Sequence, residues 1–372
     1  MEPVCASSGD SCIVMLRVAA LTSGRHTPAS RYRVRQHVPA LLKHGIRVRE
    51  YCPIIEKYAS PPRVVRRLLA CFGQDRTEWH VRLKKLDRLL GLAGSHLSEV
   101  TWLERILIPS HLSFEPILKK PLVFDVDDAI WLGEGAGITD AVARRADVVI
   151  AGNGYLADWF SRYHDRIEII PTAVDTKFYR PGTAEPGEEF VVGWTGLSSN
   201  YRFVQLVATP LARFLATHRD AVLVLMSDSP PAGLELPRDR VRFVRWRPDD
   251  DFRVIQSFDV GIMPLSDDEW TRGKCSFKML QYMATSVPVI VSPVGMNKEI
   301  LSEAACGLGP VSSDDWYEAL VYCHRHRAAI REWGRNGREL VRRKYSTEVI
   351  SRQLARVFLE LGGQPVRASG AA

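Results

Sequence analysis

No pair of cysteines in this 372-residue sequence has the spacing of a metal or redox motif. The seven cysteines (Cys5, Cys12, Cys52, Cys71, Cys275, Cys306, Cys323) are odd in number, scattered, and contain no CxxC. Neither a disulfide framework nor a zinc site is therefore expected. Long apolar runs are missing as well, and none approaches the ~20 residues that cross a bilayer. The run Cys12–Leu16 is broken by Arg17 and preceded by Glu2 and Asp10, so it reads as a first strand and not as a signal peptide. No GxGxxG follows a predicted strand, which speaks against a classical NAD oxidoreductase. The histidines (His26, His37, His44, His80 and His164 among them) form no spaced ligand set. Internal repeats and low-complexity segments are absent. The expectation is a cytoplasmic chain.

What is present fits two globular domains. A length of 372 residues and 46% apolar content supply two cores of ordinary size, and 25% charged residues supply a polar surface. Predicted strands alternate with helices along both halves. Val14–Leu21, Ile46–Tyr51, Val100–Ile108, Leu122–Val126, Val148–Ala151 and Ile167–Ile170 read as strands in the first half. Arg31–Gly45 and residues 61–98, interrupted at Gly73, read as helices. Phe190–Gly193, Ala221–Met226 and Val241–Val244 follow as strands around a helix at Phe203–Ala216, and residues 349–361 form a last amphipathic helix. Such alternation argues for parallel, doubly wound sheets. The net charge of +7 suits an anionic ligand, an anionic membrane face or nucleic acid. Much of it lies in residues 324–344, HRHRAAIREWGRNGRELVRRK, which reads first as a solvated helix face. No aromatic interleaving accompanies it, so nucleic acid is not an expected partner.

The most informative stretch is residues 257–299. Val260–Met263 is a short buried strand stopped by Pro264. Phe277, Leu280, Gln281 and Ala284 recur at helical spacing, and Pro288–Ser292 is a second β-branched strand. Arg272, Lys274 and Lys278 lie between the first strand and the helix, where amides, helix dipole and side-chain charge converge on an anion. The run Phe277–Ile290 resembles the donor-binding core of the GT-B glycosyltransferases of family 4, the group 1 retaining enzymes. The resemblance implies that Gln281 contacts the ribose of a nucleotide. Two glutamates usual in the family are replaced by Gly273 and Gln281, whose amide still donates and accepts hydrogen bonds. Gly193-Trp194-Thr195-Gly196 follows a strand and precedes a helix, so it reads either as a structural turn or as a loop whose amides, at Gly196, cap a phosphate. Where the family carries cations in this loop, Trp194 and Asn200 stand. Diphosphate neutralisation then falls on Arg272, Lys274 and Lys278, with Gly295 and Asn297 shaping the wall near the sugar phosphate.

In the first half, Ile170-Pro171-Thr172-Ala173-Val174-Asp175 resembles the family's segment closing the N-terminal domain. The turn-rich 181–187 after it has linker composition. The expected domains are 1–181 for the acceptor, 182–348 for the nucleotide sugar, and 349–372 as a crossover helix and tail. Asp125, Asp127 and Asp128 end a buried strand, where open α/β sheets bind ligands. A helix N-cap cluster, a metal-binding DxD and acceptor hydroxyl binding or proton acceptance are the three readings. The last is favoured, because Asp127 falls about where the family carries a histidine. Ser30 is a candidate N-cap, and Arg31 and Arg33 read either as ordinary surface residues or as contacts to a donor phosphate or an anionic acceptor. Pro62–Phe72 is basic and amphipathic, which suits either a core-facing helix or an anionic membrane surface near a lipid-linked acceptor.

The sequence thus reads as a GT-B fold of two Rossmann-like domains facing a cleft, its last helix crossing back to the first domain. The expected activity is transfer of a sugar from a nucleotide-activated donor to an acceptor hydroxyl. Retention is what the resemblance implies. No metal and no cofactor beyond the nucleotide-sugar substrate are expected, and the sequence does not name the acceptor, for which a lipid-linked molecule and a polysaccharide are the candidates. A nucleotide-sugar epimerase of the same fold and a non-catalytic nucleotide-sugar-binding protein are the alternatives.

Overall fold

The computed structural model describes residues 15–58, 76–133, 135–183 and 187–363. The chain forms two compact units, Met1–Thr172 with Ile350–Ala372, and Ala173–Val349. It leaves the first unit at Thr172 and not at residue 181, because the intervening residues belong to the second core. Val174 bridges to Ser346, and the buried Tyr179 donates its phenol hydrogen to Asp251 at 2.8 Å. The start of the first strand at Val14, the basic stretch Pro62–Phe72, the interruption at Gly73, and Cys5, Cys12 and Cys71 lie outside the described residues.

The first unit is built on a parallel sheet ordered β2-β1-β3-β4-β5-β6. Its strands are β1 Leu16–Leu21, β2 Ile46–Tyr51, β3 Val100–Glu104, β4 Leu122–Val126, β5 Val148–Ala151 and β6 Ile167–Ile169. The pairings Leu103↔Phe124 and Phe124↔Val149 set register across its centre. Near-continuous apolar runs such as Leu122–Val126 belong to strands covered on both faces. The strand expected through Ile108 ends at Glu104, because Arg105 takes a left-handed φ of 56°. The helix expected from Arg31 starts sooner, at Pro28, through a wide π turn Ser30–Val34 and a tight turn Arg35–His37 before Val38–Lys43. Ser30 is therefore inside a turn and is not an N-cap. Its hydroxyl donates to Glu104 at 2.9 Å.

Helix Arg76–His96 turns two of its charges, Lys84 and Arg88, inward. Lys84 Nζ donates to the Lys57 carbonyl at 2.6 Å, and Arg88 donates to the carbonyls of Thr22 and Leu107 at 2.6 and 2.9 Å. Leu86, Leu89 and Leu90 are exposed in consequence, as is Leu97 just beyond the helix. The last helix, Thr347–Leu361, joins the first unit from Ile350 onward. Phe358 packs on Trp102 with ring centroids 5.0 Å apart, and Ser351 Oγ lies 2.8 Å from His37 Nδ1.

The second unit has a parallel sheet ordered β12-β11-β10-β7-β8-β9. The strands are β7 Phe190–Thr195, β8 Ala221–Ser227, β9 Val241–Arg245, β10 Val260–Met263, β11 Val289–Val291 and β12 Gly307–Leu308. The helix expected at 203–216 is two, Tyr201–Gln205 and Ala208–Thr217, the second holding Pro210 in its first turn, where a missing N–H costs nothing. Gly193 and Gly261 are register partners in β7 and β10. A methyl group on Gly261 would come within 2.4 Å of the Tyr282 ring. The bare glycine lets that ring lie on the sheet, and its hydroxyl accepts from the Thr195 amide at 2.9 Å. Helix Phe277–Ala284 is thereby fixed to the end of β7.

His37 is fully buried, and burial, with Arg33 nearby, pushes its imidazole down from 6.5 to about 3. Between those values the unfolded chain takes up a proton that the native state refuses, so stability falls as pH falls. The expected slope for this one group is about 1.4 kcal/mol per pH unit. His37→Gln should flatten urea-denaturation stability between about pH 6.5 and 3 relative to wild type. Equal slopes would mean that native His37 protonates freely.

Candidate functional site

In the second unit the chain runs β7 to β8 to β9 on one side and β10 to β11 to β12 on the other. The order reverses between β7 and β10, the switch point where such sheets bind ligands. The loop after β7 and the segment after β10 meet there. A methyl group on Gly196 would lie 2.7 Å from Lys278 Cε, so the lysine stem passes directly over the glycine. Gly196 and Lys278 are thus brought together from opposite sides of the switch point. The loop is held by Asp228, which accepts from the Ser198 amide at 2.6 Å and hydroxyl at 2.9 Å. Trp194 is buried against Tyr201 with ring centroids 5.2 Å apart.

After β10, Asp268 caps the short helix Glu269–Arg272 through a capping box with Thr271. Ser276 then takes a left-handed φ of 50° before helix Phe277–Ala284 begins. Non-glycine residues in that region cluster at functional sites. The turn sets Lys274, whose ammonium lies 5.2 Å from the Trp270 ring centroid, and Lys278 on the same segment. Gly295, with φ of 53°, is pressed on this segment: a side chain there would meet the Arg272 carbonyl at 2.7 Å.

Three expected donor contacts are placed otherwise. Arg272 Nε donates to Asp267 at 2.7 Å, so part of its charge is already matched. Gln281 is buried and gives its amide hydrogen to Tyr179 Oη at 2.6 Å, in a chain continuing to Asp251. Its carboxamide thereby ties helix Phe277–Ala284 to the segment before β7. Asn297 is fully buried, its Nδ2 donating to the Ser292 carbonyl at 3.1 Å, while its Oδ1 has no partner among the described residues. It braces the turn behind Gly295 from within.

In the first unit the order reverses between β1 and β3. Glu104, at the end of β3, accepts from the Ser23 amide and from the Ser23 and Ser30 hydroxyls at 2.8, 3.0 and 2.9 Å. Arg33 and Asp125, expected to contact acceptor, bind each other. Their side chains are 3% and 0% exposed, with the guanidinium 2.5 Å from the carboxylate and Trp102 Nε1 donating at 3.0 Å. This buried pair welds the wide turn to β4 and has no surface left for a ligand. Arg31 is half-buried, 5.2 Å from the Tyr32 ring centroid.

Asp127 and Asp128 do reach the surface, at 13% and 22% exposure, joined by Arg105. Arg105 Nε donates to Asp127 at 2.7 Å and Nη2 to Asp128 at 2.7 Å. Burial works against the charge on Asp127, but Arg105 and Arg33 outweigh it and hold the carboxyl below its usual range. A carboxylate so held is a hydrogen-bond acceptor and a weak base. Sequence reasoning missed Arg105 and Glu104, although a Glu-Arg pair closing an apolar strand was a visible signal. Among the described residues, no group of three or more His, Cys, Asp or Glu is arranged to hold a metal.

Two doubly wound parallel sheets of six strands make this a GT-B glycosyltransferase fold. Solved structures share it over nearly the whole chain. Sucrose-phosphate synthase from Thermosynechococcus elongatus is 16% identical, with a TM-score of 0.68 over 94% of this chain and 99% of that one. Anabaena Alr3699/HepE, solved in complex with UDP-glucose, is 15% identical, with a TM-score of 0.65 over 93% and 100%. WaaG, a glycosyltransferase involved in lipopolysaccharide biosynthesis, is 12% identical, with a TM-score of 0.61 over 92% and 99%. Within the second unit, residues 189–326 match the model of the family described as Glycosyl transferases group 1. No curated relative matches the chain.

Arg105 is the partner on which both surface aspartates depend. Arg105→Gln should lower unfolding free energy on the order of 3–5 kcal/mol, the usual cost of breaking a buried pair. The Asp127 carboxyl should titrate higher in the variant, followed by carbon NMR. A stability change below about 1 kcal/mol would show that the aspartates hold the loop without it.

Proposed function

We propose that the protein is a glycosyltransferase of family 4 that moves a hexosyl group, with retention, from a nucleotide-activated donor to an acceptor hydroxyl, without a metal. The observation that carries this reading is the meeting of Gly196 and Lys278 at the switch point of the second sheet. Backbone amides of the Gly196 loop and the ammonium groups of Lys274 and Lys278 supply fixed positive charge to a departing diphosphate. Arg272, shared with Asp267, adds to the field. Gly295 leaves backbone, and no side chain, at the adjoining turn. Asp127 and Asp128 orient an acceptor hydroxyl by accepting its hydrogen bond, with Arg105 pairing both and holding the Asp127 carboxyl below its usual range. The group 1 match over residues 189–326 supports the donor half of the reading. The UDP-glucose bound by HepE suggests the first donor to try.

Calorimetry with UDP-, GDP-, ADP- and dTDP-sugars tests the donor site. Lys278→Ala should weaken the best donor by about 1.5–3 kcal/mol, the value of a hydrogen bond to a charged group. EDTA should leave both binding and transfer unchanged. Full affinity in both Lys274→Ala and Lys278→Ala, or activity lost to EDTA and restored by Mg²⁺, defeats the assignment. Products formed from donor alone would instead favour the epimerase.

A peripheral contact with the inner membrane face and a lipid-linked acceptor are supported by one observation. Leu86, Leu89 and Leu90 face outward on helix Arg76–His96 beside the exposed Arg82. Apolar side chains with a cationic neighbour suit the interface of an anionic bilayer. Among the described residues no helix is long and apolar enough to cross a membrane. Co-sedimentation with phosphatidylglycerol vesicles should be lost in Leu86→Ser/Leu90→Ser. Retention by that variant removes this contact.

A further inference from the structure

The opposite edge of the second sheet holds a large open basin of about 1200 Å³. Asp259, Glu189 and Pro288 on its lining each sit just before a strand, so it lies at the N-terminal strand ends, away from Gly196 and Lys278. One wall is helix Ile330–Leu340 and the π turn Val341–Tyr345 after it. Arg331, Arg335, Arg338 and Arg342 all line the basin. Their spacing of four, three and four residues puts them in one row along a helical face, about 16 Å long at 1.5 Å per residue.

The row is held in place by glycine. A side chain on Gly334 would lie 2.0 Å from the Ser286 carbonyl, so the helix backbone rests directly on the turn before β11. That close packing aims the arginine face into the basin. Most other charges there are matched: Arg242 pairs with Glu189 at 2.5 Å and Arg327 with Asp259 at 2.6 Å. Arg338 is spent on the carbonyls of Tyr179 and Ala284. Burial and then the nearby Arg342 pull its pKa below the ordinary value. Arg342 is 3.7 Å from Glu339. Arg331 and Arg335 are exposed and carry no ion pair or hydrogen bond among the described residues. Like charges at this spacing weaken a helix, and an anion removes that cost.

We propose that this basin is a second anion site, taking an oligophosphate: a small molecule with several phosphate groups in a row. Guanidinium forks match phosphate oxygens in pairs. A single phosphate bridges only the one-turn gap between Arg331 and Arg335, whereas a chain of phosphates also reaches along the row to Arg342. The concave wall does not fit a flat bilayer, and among the described residues the lining offers no exposed aromatic face for a nucleobase. The turn Ser286–Pro288 is part of the lining and connects helix Phe277–Ala284 to β11. Occupancy therefore bears on the segment that carries Lys278. The site itself stands whether or not the donor reading does.

Calorimetry with sodium tripolyphosphate at low ionic strength tests it. Wild type should bind one equivalent, weakening as salt screens the open basin. Arg331→Gln/Arg335→Gln should bind about a hundredfold more weakly, about tenfold per arginine. Lys274→Ala/Lys278→Ala should keep the wild-type affinity. Should the glutamine variant fail to fold, Arg331→Lys/Arg335→Lys retains the charge and should still lose about tenfold with the fork. No binding by wild type, or equal binding by the arginine variants, overturns the site. Loss confined to the lysine variant assigns the probe to the switch point and overturns it too. Arginine-dependent binding to phosphatidylglycerol vesicles without tripolyphosphate binding would replace it with a membrane surface.

Discussion

Charge that is carried into a folded core must be matched where it lies, and the first unit is organised by that constraint. Every strand of its sheet runs the same way, so the polar residues that end β1, β3 and β4 collect at one edge. Glu104 is met by two serines and an amide, Asp125 by Arg33 and Trp102, and Asp127 with Asp128 by Arg105. Each match joins residues far apart in sequence. The chemistry at this edge is therefore rigid: its two surface carboxylates cannot shift without undoing a buried guanidinium.

The second unit solves a different problem. Its switch point gathers the positive charge of Arg272, Lys274 and Lys278 where an arriving anion would meet it. Structure compensates by fixing the backbone beneath that charge. Tyr282 ties the helix to Thr195, Gly261 admits the ring, and Gly295 lets the next turn close on Arg272. The left-handed Ser276 belongs to the same scheme, a strained residue held by well-packed neighbours.

The parallel sheets were legible because buried parallel strands leave long apolar runs, Ala221–Ser227 being the plainest. The lysines at the head of helix Phe277–Ala284 were legible for a related reason, since cations at a strand-to-helix junction are conspicuous. Side-chain direction was not. Gln281 turns inward because Tyr179, a hundred residues earlier in the chain, offers it a hydroxyl. Arg33 turns inward toward an aspartate ninety-two residues later. Arg105 was overlooked because its partners are brought to it by a backbone conformation that residue type does not announce. The stripe at 331–342 was visible as charge, but whether it faced bulk solvent or a concavity depended on where Gly334 came to rest.

The first unit is discontinuous, and this sets an order of events during synthesis. Trp102 and His37 receive their partners Phe358 and Ser351 only after residues 173–349 have been made. Leu16, at the start of the sheet, is covered against Gly362 at the same late moment. A ribosome adding about 5–20 residues per second needs roughly ten seconds or more to make that insert. For that interval the first sheet stands with an apolar face open, while the second unit, continuous in sequence, can complete itself. Chaperone dependence should accordingly concentrate on the half of the protein that is translated first.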